Sequence, residues 1–131
     1  MRRCVLMRER PLKIYRDENR PCCRDYERYL RSKGIAFQTV VVKAAELEKV
    51  RTRLGVPEQL HSCHSAEMGP YFVEGHVPVE AIAKLLSEKP AVDGIAVPGM
   101  PAGSPGMGGV KNGPIPIYAK AGDEIFVWML W

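Results

Sequence analysis

This chain has no run of the roughly 18 consecutive apolar residues that a membrane-crossing helix requires, which excludes such a helix. Its first residues, MRRCVLMRERPLK, carry arginines but no apolar core segment, so they do not read as a secretory signal. The cytoplasm is the expected compartment, with export expected only if the true start lies upstream. Internal repeats of roughly 20–50 residues are missing, which excludes a solenoid or a propeller. Charge of one sign is nowhere concentrated without interruption. Residues 1–33 hold 11 Lys/Arg and 5 Asp/Glu and the rest hold 8 and 10, so the net charge of +4 comes from a basic end. Glu9, Asp17, Glu18, Asp25 and Glu27 break that end up. It therefore reads as a solvated helix face with a loose arm, and nucleic acid is not the expected partner.

What is present is one domain's worth of chain. The 131 residues are 46% hydrophobic, enough for a single core and too short for two ordinary ones. Residues 1–11 read as a flexible basic arm and residues 12–131 as the domain. Leu12–Arg16 reads as a strand with Leu12, Ile14 and Arg16 on one side. A helix then runs from Pro21 to Lys33: Asn19 can cap it, Pro21 suits its first turn, Tyr26, Tyr29 and Leu30 form its apolar stripe, and Gly34 stops it. The β-branched run in Ile35–Val42 predicts a buried strand. Leu47, Val50 and Leu54 predict a second helix over Ala44–Leu54, closed by Gly55 and Pro57. Cys63–Met68 and Tyr71–Glu74 flank Gly69-Pro70 as a hairpin.

A third helix is expected over Pro78–Glu88, with Val79, Ile82, Leu85 and Leu86 inward. Gly94–Val97 is a short apolar segment. Ile115–Tyr118 and Ile125–Leu130 form a closing hairpin turned at Ala121-Gly122-Asp123. The order of elements suits a small α/β sandwich of the thioredoxin type with a C-terminal β-hairpin. Between the last helix and that hairpin, Pro98–Pro114 is rich in Pro and Gly and repeats Pro-Gly-Met at 98–100 and 105–107. Pro-Gly fills the centre of a type II turn, so each repeat projects a methionine from a stiff loop. That loop is expected to lie outside helices and strands and to approach the Cys22 end of the molecule.

The four cysteines do not suggest a disulfide framework, because a cytoplasmic chain is kept reduced. Cys4 lies in the arm. Cys22 and Cys23 sit in the first turn of the first helix, where unpaired amides and the helix dipole favour thiolate. A disulfide between them would be strained, since adjacent Cα atoms lie about 3.8 Å apart and bridges need roughly 4.4–6.8 Å. The pair reads either as a dithiol for a soft metal or as two small packing residues. His61-Ser62-Cys63-His64 adds a thiol and a neighbouring imidazole, Cys63 and His64. His76, just before the third helix, reads as a turn residue or a further ligand. Met100 and Met107 offer thioethers, which suit Cu(I).

Several segments together carry a family resemblance. Asn19-Arg20-Pro21-Cys22-Cys23, Leu54-Gly55-Val56-Pro57, Ser62-Cys63-His64-Ser65-Ala66, Glu74-Gly75-His76-Val77-Pro78 and Ala96–Met107 occur in this order. The chain resembles the bacterial family named domain of unknown function 411, over about residues 12–127. The resemblance implies a thioredoxin-like core and copper-related metal binding. The family usually has Cys-Gly-Cys-Cys where this chain has Arg20-Pro21-Cys22-Cys23. The missing first cysteine removes the Cys-x-x-Cys redox pair and tells against disulfide exchange more than against metal binding. Many family members also carry an export signal.

The function expected first is therefore a soluble Cu(I) binder, chaperone or copper-resistance factor, with Cys22, Cys23, Cys63, His64, His76, Met100 and Met107 as candidate ligands. Its partners would be the metal ion and a protein that donates or accepts copper. Zinc is the alternative ion, because Cys22, Cys23, Cys63 and His64 make a Cys₃His set; the methionines favour copper. A thioredoxin- or glutaredoxin-like thiol protein, or a thioredoxin-like interaction module without a site, are the other two readings.

Overall fold

The structure, a computed structural model, describes residues 11–18 and 21–131, with Pro21 and Cys22 placed by backbone alone. Apart from Pro11, the expected arm lies outside the described residues, as do Cys4 and the proposed cap Asn19. In chain order the elements are β1 (Leu12–Asp17), α1 (Pro21–Ser32), β2 (Phe37–Val42), α2 (Ala44–Leu54), a 3₁₀ turn (Glu58–Leu60), β3 (His64–Met68) and β4 (Tyr71–Glu74). α3 (Val79–Glu88), β5 (Gly94–Ala96), β6 (Pro116–Ala121) and β7 (Glu124–Leu130) follow. The strands form one mixed sheet in the order β2-β1-β3-β4-β5-β6-β7. β1 runs parallel to β2 and β4 parallel to β5, and the other neighbours are antiparallel.

Strand alternation sorts side chains to two faces of this sheet. Leu12, Ile14, Ala66, Met68, Val73, Ile95, Ile117 and Ala119 form one core with Tyr26 and Leu30 of α1 and Ala81, Ile82 and Leu85 of α3. The residues between them face the other way. There Phe72 and Ala96 pack with Leu54, Val56 and Leu60 in a smaller core. On that face α2 is anchored by charge: Arg53 donates to Glu67 Oε2 at 3.0 Å and lies over the Tyr15 ring. α1 is held on the first face by a buried ion pair, Arg16 Nε to Glu27 Oε2 at 2.9 Å, and Thr39 Oγ1 donates to the same oxygen at 2.8 Å. The architecture is mixed α/β, with helices where apolar periodicity placed them.

Two expectations need correction. The Thr39–Val42 run is not a buried strand: β2 is the outermost strand, and Val41 is half exposed. A β-branched run reports strand propensity, but an outermost strand has a neighbour on one side only. In α2 the buried positions are Leu47 and Arg51, with Val50 and Leu54 half-buried, so a charged residue takes the place expected of an apolar one.

At Gly94, in the middle of the sheet, a Cβ would fall inside contact distance of the Phe72 ring. Gly94→Ala is therefore expected to destabilise the fold by about 1–3 kcal/mol. A urea or thermal unfolding curve checks this, and a midpoint equal to the parent's would contradict it.

Candidate metal centre

Cys23 is the third residue of α1, on the side that carries Tyr26 and Leu30 toward the core, and it is buried. Cys63 immediately precedes β3 and His64 opens it, so both lie at the end of β3 that faces the start of α1. One donor atom from each of Cys23, Cys63 and His64 lies within 4.8 Å of the other two. Two metal–sulfur bonds of about 2.3 Å span up to about 4.6 Å. That span is reached only with the ion on the line between two donors; three donors in trigonal geometry lie about 4.0 Å apart, so a single ion would draw them together by less than about 1 Å.

His76 completes the group from a fourth segment, the turn between β4 and α3. Its Nε2 is 3.1 Å from Cys63 Sγ, and His64 Nδ1 is 3.4 Å from the same sulfur. The other nitrogen of His76 is 2.6 Å from the Pro105 carbonyl. A carbonyl only accepts, so Nδ1 carries a proton and donates it there, and Nε2 is the nitrogen that faces the sulfur. An imidazole oriented through its far nitrogen is the usual arrangement of a metal-ligating histidine. The Tyr26 ring lies 5.0 Å from both imidazole centroids, and its hydroxyl donates to the Val77 carbonyl at 2.6 Å.

The electrostatics favour thiolate. A hydrogen bond from Cys23 is the largest influence on the Cys63 thiol and pulls it far below the ordinary thiol range. Burial pushes the other way, and His64 and His76 add to the lowering. Among the described residues, His64 Nε2 is the single buried side-chain nitrogen or oxygen without a hydrogen-bond partner. An orphaned polar atom at this depth costs roughly 1–3 kcal/mol unless something binds it. The donor set therefore fits a metal ion.

Two frames hold the group. Behind Cys63, the carboxylate of Glu74 accepts from the Ser62 amide at 2.8 Å, from Ser65 Oγ at 2.5 Å and from Arg51 Nε at 3.2 Å. The same guanidinium donates to the Ser62 carbonyl at 2.5 Å. Both peptide groups of Ser62, the residue before Cys63, are thereby fixed by buried charge, and burial raises the Glu74 carboxyl. The second frame is the Pro/Gly loop, which lies outside helices and strands as expected. A Cβ on Gly106 would stand 2.7 Å from the Tyr26 amide nitrogen, so this glycine, at φ +81°, lets the loop press directly onto α1.

A family model described as "Protein of unknown function, DUF411" matches residues 60–107. A solved structure described as "Copper resistance protein copG- Form 1" is 36% identical with a TM-score of 0.82, over 92% of this chain and 96% of that one. A second, "Copper resistance protein copG- Form 2", is 35% identical with a TM-score of 0.79, over 93% of this chain and 98% of that one. The chain belongs to the DUF411 family. No curated protein matches it significantly. In this DUF411 protein the matched span takes in Cys63, His64, His76, Met100 and Pro105, whereas Cys23 lies outside it.

Of the residues singled out in the sequence, the structure brings Cys23, Cys63, His64 and His76 together. Cys22 stands in the first turn of α1, and its side chain lies outside the described residues. Met100 is exposed and lines a cavity beside Cys63, while Met107 is half-buried, its amide donating to Ser104. The second Pro-Gly-Met therefore acts through its Pro105 carbonyl and Gly106. Sequence reasoning missed Pro105, Gly106, Arg51 and Glu74. A backbone carbonyl has no side-chain signature, and an ion pair 23 residues apart leaves no local pattern.

Glu74→Ala removes the buried ion partner of Arg51, which keeps only the exposed Glu48, and frees the Ser62 amide. It is expected to cost about 3–5 kcal/mol, the scale on which a broken buried pair is felt, and calorimetry reads it. Gly106→Ala is expected to lower stability by about 1–3 kcal/mol. Hydrogen exchange at the amide of Tyr26 should quicken with it; unchanged exchange there would mean that the loop does not brace α1.

Proposed function

We propose that this protein handles Cu(I), binding it through Cys23 and Cys63 with His64 and His76 completing the site, and with Cys22 available from the same helical turn. The observation that carries this reading is the buried Cys23–Cys63–His64 cluster with its orphaned imidazole nitrogen. Thiolate and imidazole suit a soft ion. The two similar structures are copper resistance proteins by description. Cys₂His₂ would also make a tetrahedral zinc site, so zinc is the competing ion. The arrangement β2-β1-β3-β4, with β1 and β2 parallel and β3 antiparallel to both its neighbours, supports a thioredoxin-like reading of the core. The cytoplasm keeps such thiols reduced and is the compartment of this proposal, with a copper-donating or copper-accepting protein as partner.

Titration of the reduced protein with Cu(I) against a competing chelator tests the reading. The parent is expected to bind one or more ions tightly, and Zn(II) is expected not to displace them. Replacing Cys22 and Cys23 together by serine should weaken binding at least about 100-fold, as should Cys63→Ser alone. Far-UV circular dichroism and melting curves establish that the variants fold. A folded double variant that holds Cu(I) as tightly as the parent would overturn the assignment.

A further inference from the structure

The four donors described above are between 0 and 3% exposed. A carrier protein meets almost none of their surface directly, so a ligand nearer the surface would help copper to reach them. A cavity of about 220 Å³ opens beside Cys63 and is lined by His61, Ser62, Cys63, Gly99 and Met100. Three of those five residues carry metal-binding side chains: an imidazole, a thiol and a thioether. Met100 is the outermost, at 43% exposure.

The cavity is braced. The Gly99 amide donates to the His61 carbonyl at 3.3 Å, and Ser62 Oγ donates to the Gly99 carbonyl at 2.5 Å, so the base of the loop carrying Met100 is tied to the segment carrying His61 and Cys63. His61 and Cys63, two residues apart, both line the cavity. Nε2 of His61 is 3.2 Å from the Val56 carbonyl and donates to it, leaving Nδ1 as the nitrogen with a lone pair to offer.

We infer that this cavity is a copper-exchange port, in which Met100 and His61 receive Cu(I) from a soft-ligand carrier and pass it to Cys63. The inference rests on the Cu(I) reading of the buried cluster. The step is ligand exchange. A bond from copper to the carrier's ligand breaks as the bond to Met100 Sδ forms, and that bond breaks in turn as Cys63 Sγ binds. The ion stays Cu(I) throughout, and a thioether neither gains nor loses a proton. A neutral thioether suits a relay because it holds Cu(I) more weakly than thiolate does.

The test separates rate from affinity. Cu(I) held by bicinchoninate is mixed with reduced protein in a stopped-flow instrument, and the loss of the coloured complex gives the transfer rate. Met100→Leu and His61→Gln are each expected to slow transfer about tenfold while leaving the equilibrium affinity within about threefold of the parent's, tenfold being the lower end of what outer groups do at metal sites. Met107→Leu, outside the cavity, is expected to leave both unchanged. Transfer rates equal to the parent's in both port variants would overturn the port. So would an affinity that falls in step with the rate, because Met100 would then be a resident ligand. A folded parent that takes up no Cu(I) at all would instead overturn the copper reading beneath it.

Discussion

Glu74 is a carboxylate with no access to water, on a strand in the middle of a sheet. A charge in that position is tolerated only if it is paired and its oxygens are hydrogen-bonded. Arg51 supplies the pairing from α2, and Ser65 and the Ser62 amide supply the rest. Because those partners come from a helix, a strand and a turn, satisfying one carboxylate fixes three segments against each other. The turn so fixed is the one that delivers Cys63. The geometry of the thiol–imidazole group therefore depends on an ion pair that none of its members touches as a ligand.

The same economy appears in the Pro/Gly loop. Its residues lack side chains that could build a core, yet it closes one side of the cluster through a carbonyl and a missing Cβ. Pro105 sets the proton of His76, and Gly106 allows the approach that makes that bond reachable. Tyr26 and Tyr29 of α1 complete the enclosure from below: one hydroxyl donates to Val77, and the other accepts from the Val79 amide at 2.9 Å. The second contact satisfies a first-turn amide of α3, whose capping residue is Pro78 and offers no side-chain bond. Helix and loop thus grip the segment 76–79 from both sides.

How much of this was legible depends on whether a signal is local. Apolar spacing in Ala44–Leu54 and Pro78–Glu88, the stop at Gly55 (φ 77°) and the hairpin around Gly69-Pro70 are properties of neighbouring residues, and each is where the pattern put it. The exposure of β2 is a property of sheet order, which no window of the Thr39–Val42 run contains. Cys63 and His64 stood out by their chemistry, but their approach to Cys23 spans some forty residues and depends on β1 and β3 pairing antiparallel. His76 read first as a turn residue because its partners, Cys63 and the Pro105 carbonyl, are 13 and 29 positions away.

That scatter along the chain has a consequence for biogenesis. The cluster draws on residues 23, 63, 64 and 76, and its brace reaches 105–106. Contacts of such sequence separation form late, because closing long loops costs entropy before any contact repays it. A nascent chain that has emerged only as far as α1 offers two adjacent thiols and none of the imidazoles. Until the loop has been synthesised and has closed, nothing fixes the proton on His76. The finished thiol–imidazole cluster is thus a product of folding and cannot serve as its template, and a ribosome-bound chain presents thiols before it presents the cluster.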